Sequence, residues 1–481
     1  MRCVVAVPPI EDFYYTPHRG SFLGAHIVNS ILKEHGYESH LICFPNLYKK
    51  PKKIPLPKEI SYLSDFIVNK ETGPISFFSS YKRFGPDYKD AAHIVNSYKP
   101  DIVFISCFAF CYAMSSIYLA EEIKKIDPGI EIVLGGTGAS VFPEYYEDTG
   151  FFDDILIGLA EHVLTTFLGM PKKDKPVPAL VKTKTTKKWR YYSSYLTRGC
   201  PRNCKFCSVP MLHGRKLETI DKYILENKIK EIDSKKGIFL NFEDDNVLYK
   251  WNFFIESLKE IKNINKDIMF SCENGIDYRL LDKRRLNELI NLGFRQFNFS
   301  IGTTSKKIAL EQDRTVDLSR LMSLTEILDK KQIQAIVYFI SGFPRESIED
   351  AIFNLILLSG LGKNVRIGLS LFYPIPGIPG FENKDQFKKI SPILLCSSSA
   401  WPWNNSLSTE DMITLFRLVR LVNLTKRKDL DNFYAELIKR CFKEKRLYTL
   451  VRRKENPVEV GCYNKYMVKL FFDGIKEDLW S

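Results

Sequence analysis

Three cysteines lie close together in the segment RGCPRNCKFC, which spans residues 198–207. Cys200, Cys204 and Cys207 are separated by three and then two residues, so one loop carries all three thiols. Thiolates bind iron–sulfur clusters, and a four-iron cube bound by three of them keeps one iron without a protein ligand. A small-molecule chelate can then bind that iron. The spacing predicts a 4Fe-4S cluster with one open coordination position.

Zinc is the main alternative occupant of this loop. His213 follows the loop and would complete a set of three cysteines and one histidine, which is a common zinc site. A disulfide is not expected, because the N-terminal sequence MRCVVAVPPIEDF lacks the form of a secretory signal. The eleven cysteines of the chain are too dispersed for a disulfide scaffold.

The loop directly follows the first strand of a series that alternates with helices. Apolar runs predict strands at residues 192–197, 238–242, 268–272, 296–301, 335–340 and 366–372. The segments between them have apolar residues at helical spacing. Six strand–helix units predict a partial (β/α)6 barrel of the TIM type.

An earlier alternating series occupies the first part of the chain. Its predicted strands are residues 3–7, 40–44, 102–107, 130–134 and 154–157, again with helical segments between them. This alternation predicts a doubly wound, Rossmann-like parallel sheet. Ligands of such sheets bind at the carboxyl ends of the strands.

These patterns divide the chain into regions of the α/β class. We expect an N-terminal domain at residues 1–170, interrupted by an insertion at 46–90 that is rich in Lys, Pro, Tyr and Phe. Residues 171–190 are predicted as a linker and residues 191–385 as the partial barrel. Residues 386–481 have helical apolar spacing and are predicted as a helical C-terminal region.

Composition and charge limit the class of protein. The chain has 481 residues, 45% hydrophobic and 26% charged, which is the balance of a folded globular protein. No stretch approaches ~20 uncharged apolar residues, so we expect no membrane span and a cytoplasmic location. The net charge of +13 is compatible with nucleic acid or other anionic partners, although the basic residues are scattered and favour a solvated surface.

The cysteine motif carries a family resemblance. Residues 190–380 resemble the radical S-adenosylmethionine (SAM) superfamily, whose C-x-x-x-C-x-aromatic-C loop is matched by Cys200, Cys204, Phe206 and Cys207. The resemblance implies that the methionine part of SAM chelates the open iron. It also implies that reductive cleavage releases a 5′-deoxyadenosyl radical, and that an external flavodoxin- or ferredoxin-type protein donates the electron.

The same resemblance implies a set of SAM contacts at the strand ends of the barrel. The segment NFEDDN ends the second strand without the family's usual Gly-Gly-Glu, so the roles of its acids stay open, and a helix N-cap is the alternative. The residues implied to contact SAM are Phe206, Glu243, Asp244, Glu273, Asn274, Ser300, Arg314 and Gly342.

The N-terminal region resembles the cobalamin-binding domain that precedes the barrel in one class of these enzymes, the class B methyltransferases. The resemblance implies cobalamin contacts at Ser106, Gly135, Gly136, Thr137 and Glu161. The loop YYTPHRGSFLG lacks the aspartate and the glycine spacing of D-x-H-x-x-G, the motif of proteins that bind cobalt through histidine. We therefore expect that His18 does not ligate cobalt.

The combined resemblance implies an enzyme that binds a 4Fe-4S cluster, SAM and cobalamin and methylates an unactivated carbon. The acceptor, a small molecule or a peptide, is not identified by any motif. Cobalamin-dependent ring closure or rearrangement without methyl transfer is the alternative reaction. A methylthiotransferase is disfavoured by the arrangement of the N-terminal cysteines, and a nucleic-acid-binding protein with a structural cluster is the remote alternative.

Overall fold

The computed structural model describes residues 1–15, 20–48, 50–67, 73–171, 173, 175–232, 236–450 and 457–475. Its strands are β1 (Arg2–Val7), β2 (Ile10–Asp12), β3 (Glu38–Cys43), β4 (Lys52–Lys53), β5 (Lys82–Phe84), β6 (Ile102–Ser106), β7 (Glu131–Gly135), β8 (Asp154–Ile155), β9 (Val181–Thr185), β10 (Trp189–Ser194), β11 (Thr197–Arg198), β12 (Glu218–Thr219), β13 (Gly237–Phe242), β14 (Met269–Ile276), β15 (Phe294–Gly302), β16 (Gln334–Ser341), β17 (Val365–Leu371), β18 (Tyr448–Leu450) and β19 (Pro457–Glu459).

Apart from several short 3-10 helices, the other regular elements of the described residues are α-helices. They are α1 (Leu23–Glu34), α2 (Phe44–Leu47), α3 (Tyr88–Ser97), α4 (Ala113–Ile126), α5 (Thr137–Val141), α6 (Glu144–Glu147), α7 (Ala160–Phe167), α8 (Val209–His213), α9 (Lys222–Lys230), α10 (Trp251–Ile264), α11 (Lys283–Leu292), α12 (Lys306–Glu311), α13 (Leu318–Lys330), α14 (Ile348–Ser359), α15 (Asp385–Lys388), α16 (Thr409–Thr425), α17 (Asn432–Glu444) and α18 (Lys465–Gly474).

The chain folds into two compact units, each assembled from segments that are separated in sequence. Unit 1 comprises Met1–Pro55, Tyr81–Asn274 and Pro374–Leu395. Unit 2 comprises Leu56–Ser80, Gly275–Tyr373 and Cys396–Ser481.

Unit 1 contains the N-terminal parallel sheet. Its strand order is β3-β1-β6-β7-β8, and each neighbouring pair is parallel. The apolar run of β1 after Arg2 is fully buried, as expected for a strand covered on both faces. The chain leaves β1 toward β3 on one side and reaches β6 on the other, so the strand order reverses at β1 and opens a crevice at the carboxyl ends. The prediction of a doubly wound sheet is confirmed.

The second series also follows the prediction. In unit 1, β10, β13 and β14 are parallel neighbours. In unit 2, β15, β16 and β17 are parallel neighbours, and β16 alternates buried and half-buried side chains after the exposed Gln334. The six predicted strand–helix units are therefore present. The structure adds β9, which pairs antiparallel with β10 and lies inside the segment expected to be a linker.

The C-terminal region is mainly helical, as predicted. It contains α15 to α18, and α16 begins with a capping box in which Ser408 and Asp411 satisfy each other's backbone N–H groups. The structure adds an antiparallel pair, β18 and β19, that apolar spacing did not predict.

The insertion at residues 46–90 is divided between the two units. In unit 1, β4 and β5 join β2 in a small antiparallel sheet. In unit 2, the described residues between 56 and 80 pack against the C-terminal region: the Tyr62 hydroxyl donates to the Ser399 carbonyl at 2.7 Å, and the rings of Phe77 and Phe416 lie 5.1 Å apart.

No helix within the described ranges combines the length and the apolar character needed to cross a membrane.

Candidate functional site

A cavity of about 660 Å³ lies within unit 1 at the carboxyl ends of the N-terminal sheet. All the residues predicted to contact cobalamin line it, namely Ser106, Gly135, Gly136, Thr137 and Glu161. Its volume is in the range of cofactor and ligand pockets. The strand-end crevice predicted from the topology is thus a formed pocket.

The backbone around Gly136 explains the requirement for glycine in this wall. Gly136 has φ of 100°, a conformation that residues with a side chain rarely adopt. A Cβ atom there would lie 2.5 Å from the carbonyl oxygen of Cys107. Glycine therefore allows the β7–α5 turn to pass close to the end of β6 and to present backbone to the cavity.

Glu161 is held by hydrogen bonds at the start of α7. It is 2% exposed, and its Oε1 accepts from the Val177 backbone N–H at 3.1 Å and from the Tyr195 hydroxyl at 3.3 Å. Tyr195 lies just before the cysteine loop. Glu161 thus connects a cavity-lining helix of the first sheet to the segment that leads to the thiols.

Residues of the second series line the same cavity. They are Arg198, Ser208, Val209, Leu212, His213, Glu243, Asp245 and Asn274. Glu243 and Asn274 are predicted SAM contacts, so the structure brings two of these into one pocket with all the predicted cobalamin contacts. Sequence analysis had not selected Arg198 or Ser208, although both flank the cysteine motif.

Glu243 follows β13 and contacts residues from other parts of unit 1. Its Oε2 accepts a hydrogen bond from the Ser21 hydroxyl at 2.8 Å, and its backbone carbonyl accepts one from Asn274 Nδ2 at 3.0 Å. Burial raises the pKa of Glu243, while the hydroxyls of Ser193 and Ser21 oppose that shift. A carboxylate held in this way is suited to bind a cationic group such as an ammonium.

The two following acids have different surroundings. Asp244 is buried, and its carboxylate accepts from the backbone N–H groups of Leu196 and Thr197 and from the Thr197 hydroxyl, the last two at 2.6 Å. Burial raises the pKa of Asp244 to about 7. These bonds brace the segment before the cysteine loop, and the contact of Asp244 with SAM stays a prediction.

Asp245 contacts the cysteine loop itself. Its Oδ2 accepts from the Gly199 backbone N–H at 2.9 Å. Gly199 has φ of 95°, and its α-carbon packs closely against the Lys216 carbonyl. The loop is therefore held from both sides just before Cys200.

The three thiols lie in a compact turn. The Cys207 backbone N–H donates to the Cys204 carbonyl at 3.1 Å, and Asn246 Nδ2 donates to the Cys200 sulfur at 3.6 Å. Burial raises the pKa of Cys207 to about 11, and the neighbouring thiols act in the same direction. Because metal ligation requires thiolates, a cationic group must offset this cost.

In the described part of the chain, no three His, Cys, Asp or Glu side chains gather closely enough to hold one metal ion. In a four-iron cube each thiolate binds a different iron, so the thiols need not converge on one point.

His213 and Arg198 present nitrogen atoms without hydrogen-bond partners. Within the described residues, His213 Nδ1 and Arg198 Nε are buried atoms that have no such partner. The Arg198 guanidinium also stacks over the Tyr195 ring at 3.9 Å from its centroid. Both residues also line the cavity.

Glu273 lies within β14 rather than after a strand. The structure extends this strand to Ile276, and the Glu273 backbone N–H donates to the Asn241 side-chain oxygen at 2.8 Å. The Glu273 side chain is half-buried. Phe206, which lies between Cys204 and Cys207, is also half-buried.

Unit 2 contains the other predicted SAM contacts. Arg314 donates from Nε to the Ile301 carbonyl at 3.0 Å and from its terminal nitrogen to the Ser300 carbonyl. The structure thus brings Ser300 and Arg314 together at the end of β15. Arg314 supports that strand end, a contact that sequence analysis did not predict.

The Gly342 loop in unit 2 depends on a buried acid that sequence analysis missed. Glu346 is fully buried and accepts from the Ser341 hydroxyl at 2.9 Å, from the Gly342 backbone N–H and from Asn354 Nδ2 at 3.2 Å. Asn354 in turn accepts from the Thr304 backbone N–H at 2.7 Å. The motif GFPRES contains both Gly342 and Glu346. Their short spacing in the sequence is the signal that could have identified Glu346.

His18, the histidine of the loop after β1, lies outside the described residues. The expectation that it does not ligate cobalt stays a prediction.

Comparison with known proteins identifies the second series. Residues 194–356 match the Radical SAM superfamily, so the chain carries a radical SAM domain, whose cofactors are a 4Fe-4S cluster and SAM. The predicted family of this region is confirmed.

Curated relatives are similar over part of the chain. Bacteriochlorophyllide d C-12(1)-methyltransferase of Chlorobaculum tepidum is 28% identical over 202 residues, which cover 40% of this chain and 42% of that protein. Ribosomal protein uS12 methylthiotransferase RimO of Thermosipho africanus is 26% identical over 192 residues, which cover 38% of this chain and 44% of that protein. The chain spans less than half the length of these relatives.

One solved structure resembles a larger share of the chain. The radical S-adenosylmethionine methyltransferase TsrM from Kitasatospora setae, solved with cobalamin and a [4Fe-4S] cluster bound, matches with a TM-score of 0.55 and 13% identity. The match covers 81% of this chain and 75% of that chain. At this identity the likeness establishes the fold.

Proposed function

We propose that this chain, which carries a radical SAM domain, is a cobalamin-dependent enzyme that methylates an unactivated carbon of its substrate. The observation that supports the proposal most strongly is the cavity in unit 1. Residues at the ends of β6 and β7 line it together with residues next to the cysteine loop and at the end of β13. A corrinoid in this pocket would lie beside the SAM site.

On this proposal, residues 1–170 form the cobalamin-binding domain and residues 191–385 form the radical SAM core. The backbone at Gly135 and Gly136 accommodates the corrinoid tail, and glycine is needed at 136 because a Cβ there would press on the Cys107 carbonyl. Ser106 and Thr137 offer hydroxyls at the same strand ends. Cys200, Cys204 and Cys207 hold the cluster.

The remaining polar residues have distinct tasks in the proposal. When bound, the cluster supplies an electron for cleavage of SAM and the corrinoid supplies a transferable methyl group. Glu243 holds the amino group of SAM, and Ser21 and Asn274 orient Glu243. Arg198 places a positive charge in the cavity wall, while the apolar side chains of Val209 and Leu212 exclude water.

Relatives that bear methyltransferase names favour methyl transfer over ring closure or rearrangement. The test is anaerobic reconstitution with iron, sulfide and cobalamin, followed by turnover with SAM, a reductant and a metabolite extract. Methyl transfer predicts 5′-deoxyadenosine, S-adenosylhomocysteine and a methylated product. Deoxyadenosine without S-adenosylhomocysteine would instead support ring closure or rearrangement, and zinc in place of iron and sulfide would refute both.

Methylthiotransferase activity is the second candidate, because a relative carries that name. Such an activity needs sulfur from an additional cluster in the N-terminal domain. In this chain Cys3 pairs in register with Ser39, whereas Cys43 pairs with Val7 at the other end of the same strands. Four residues of strand separate the two cysteines by about 13 Å. This distance argues against a shared second cluster, and a product containing a thiomethyl group would overturn the argument.

A further inference from the structure

Four aromatic side chains form a continuous row in the lining of the cavity in unit 1. They are Tyr15, Phe22, Phe108 and Tyr112, and all four are half-buried. The ring centroids of Tyr15 and Phe22 lie 6.3 Å apart, those of Phe22 and Phe108 lie 5.3 Å apart, and those of Phe108 and Tyr112 lie 4.9 Å apart. We call this row the aromatic wall.

Hydrogen bonds hold both ends of the aromatic wall. The Tyr112 hydroxyl donates to Asp12 Oδ2 at 2.7 Å, and Asp12 is buried. The Tyr15 hydroxyl donates to the Asn46 side-chain oxygen at 3.0 Å. The two terminal rings are therefore anchored, and the wall is formed before any ligand binds.

The aromatic wall lies where the strand order of the N-terminal sheet reverses. Phe22 directly precedes α1, and Phe108 follows β6, whose neighbour in the sheet is β1. Ligands of open parallel sheets bind at such a reversal, outside the carboxyl ends of the strands. The turn at Gly135 and Gly136 lines another part of the same cavity, after β7.

Phe22 has a backbone conformation that is unfavourable for phenylalanine. Its φ is 49° and its ψ is 44°, in the left-handed region that glycine adopts readily and that a Cβ atom disfavours. Phe22 is also the N-cap residue of α1, but its side chain makes no capping hydrogen bond. Neither the backbone nor the helix cap favours phenylalanine here, so the reason for this residue lies in its ring. Strained residues of this kind concentrate at ligand sites.

We propose that Phe22, in the middle of the aromatic wall, packs against the corrin macrocycle of the bound cobalamin. The inference rests on the proposed function, because it requires a corrinoid in this cavity. A corrin has large apolar faces, and rigid aromatic side chains bury such a face with little loss of conformational entropy. On this arrangement the macrocycle lies at the ends of β1 and β6, and the nucleotide tail extends to the glycine turn after β7.

The test uses variants of the full chain that separate the ring from the backbone. Phe22→Gly removes the ring and relieves the left-handed strain, whereas Phe22→Ala removes the ring and keeps the strain. Phe22→Tyr keeps an aromatic ring. Gln332→Gly is the matched control, because Gln332 has φ of 55°, is exposed and belongs to unit 2.

Two corrinoids and SAM are the probes, and their Kd values are measured after reconstitution with iron and sulfide. Aquacobalamin has the macrocycle and the nucleotide tail, whereas diaquacobinamide has the macrocycle without the tail. We expect Phe22→Gly and Phe22→Ala each to raise the Kd for both corrinoids about tenfold, because each loses the contact of one ring. Phe22→Tyr should bind both corrinoids within about threefold of the parent protein, and the Kd for SAM should not change in any variant.

Thermal unfolding without corrinoid reports the effect of the backbone separately. Phe22→Gly should have a Tm about 1–3 °C above that of Phe22→Ala, since only glycine is unstrained in the left-handed region. Gln332→Gly should raise the Tm of the parent protein by a similar amount and leave every Kd unchanged. Equal losses of corrinoid affinity in two variants of different stability would support a contact made by the ring.

Several outcomes would overturn the proposal. Affinity retained in Phe22→Gly and lost in Phe22→Ala would show that backbone strain, and not the missing ring, disturbs the site. Weaker binding of aquacobalamin with unchanged binding of diaquacobinamide would assign Phe22 to the nucleotide tail. Weaker binding of SAM with unchanged corrinoid binding would assign the ring to the adenine of SAM. A parent protein that binds neither corrinoid would instead refute the proposed function.

Discussion

The Ser21 hydroxyl donates a hydrogen bond to Glu243 Oε2 across 2.8 Å, although 222 residues separate the two in the chain. Ser21 precedes α1 in the first sheet's domain, and Glu243 follows β13 in the second series. Both residues line the same cavity. This bond gives the proposed corrinoid-binding domain a direct influence on the carboxylate proposed to hold SAM.

The first prediction concerns that bond. Ser21→Ala should weaken SAM binding about tenfold, because a hydrogen bond to a charged group contributes about 1.5 kcal/mol. Loss of the hydroxyl also raises the pKa of Glu243 further, so Glu243 becomes protonated and loses its charge at a higher pH. The decline of SAM affinity on acidification should therefore begin at a higher pH. The measurement is the Kd for SAM between pH 5.5 and 8.

A matched control is available on α1. Ser30 donates to Glu34 at 3.3 Å on the exposed side of the helix, and Ser30→Ala should leave the Kd and its pH dependence unchanged. Equal affinity in Ser21→Ala and in the parent protein would show that the Ser21–Glu243 bond does not position SAM.

The second prediction separates the two cofactors. Cys200→Ala should abolish deoxyadenosine formation, since it removes a cluster ligand, yet cobalamin should remain bound because its proposed contacts lie at the ends of β6 and β7. Iron and sulfide assays and the corrinoid absorbance after gel filtration measure the two effects. Cys462→Ala removes an exposed thiol elsewhere and serves as the control. Loss of both cofactors would contradict the proposed division of the sites.

The third prediction is the reverse case. Gly136→Trp should prevent cobalamin binding, since the side chain enters the cavity wall and its Cβ would press on the Cys107 carbonyl. Iron and sulfide should be retained. Gly150 also has a positive φ, of 70°, but has open space around it, so Gly150→Trp tests whether backbone strain alone has the effect. Cobalamin binding by Gly136→Trp would rule out this turn as the corrinoid contact.

The fourth prediction concerns pH and the Gly342 loop. Burial raises the pKa of Glu346 to about 7, from an ordinary value of 4.5. Between about pH 4.5 and pH 7, Glu346 keeps its proton in the folded protein, whereas the unfolded chain has released it. This group therefore makes the stability of the protein fall as pH rises through that range. Above pH 7 its contribution is constant. The full effect is on the order of 3 kcal/mol.

Glu346→Gln cannot titrate, so its Tm relative to the parent protein should increase from pH 5 to pH 7 and then level off. Apoprotein is used so that cofactor loss does not interfere. Glu349→Gln, at the start of α14, changes a surface acid bonded to Tyr466 and should not reproduce this rise. A constant difference in Tm between Glu346→Gln and the parent protein would show that Glu346 is ionised throughout.

Much of the fold could be predicted because its signals are local. The strands of both series agree with the predicted positions to within a few residues, since continuous or alternating apolar runs report burial directly. The largest differences are β14, which continues four residues beyond the predicted end, and β9, which lies in a charged segment. Apolar spacing is weak in both places because polar residues such as Glu273 and Lys182 interrupt it.

The roles of neighbouring acids could not be predicted in the same way. Glu243, Asp244 and Asp245 have the same chemistry and are consecutive in the chain. In the structure Glu243 and Asp245 line the cavity, whereas Asp244 points to the backbone of Leu196 and Thr197. The register of β13 and the path of the chain before the cysteine loop decide which carboxylate is buried against which donors.

The amino-acid sequence by itself determined the thiol loop and the order of strands and helices, because both depend on residues within a few positions of one another. Only the tertiary structure decided that Ser106, Glu161 and Glu243 share one cavity, that Ser21 orients Glu243, and that residues 56–80 pack with unit 2. These contacts join segments that are far apart in the chain, and their formation depends on packing and burial, which residue type and spacing do not encode.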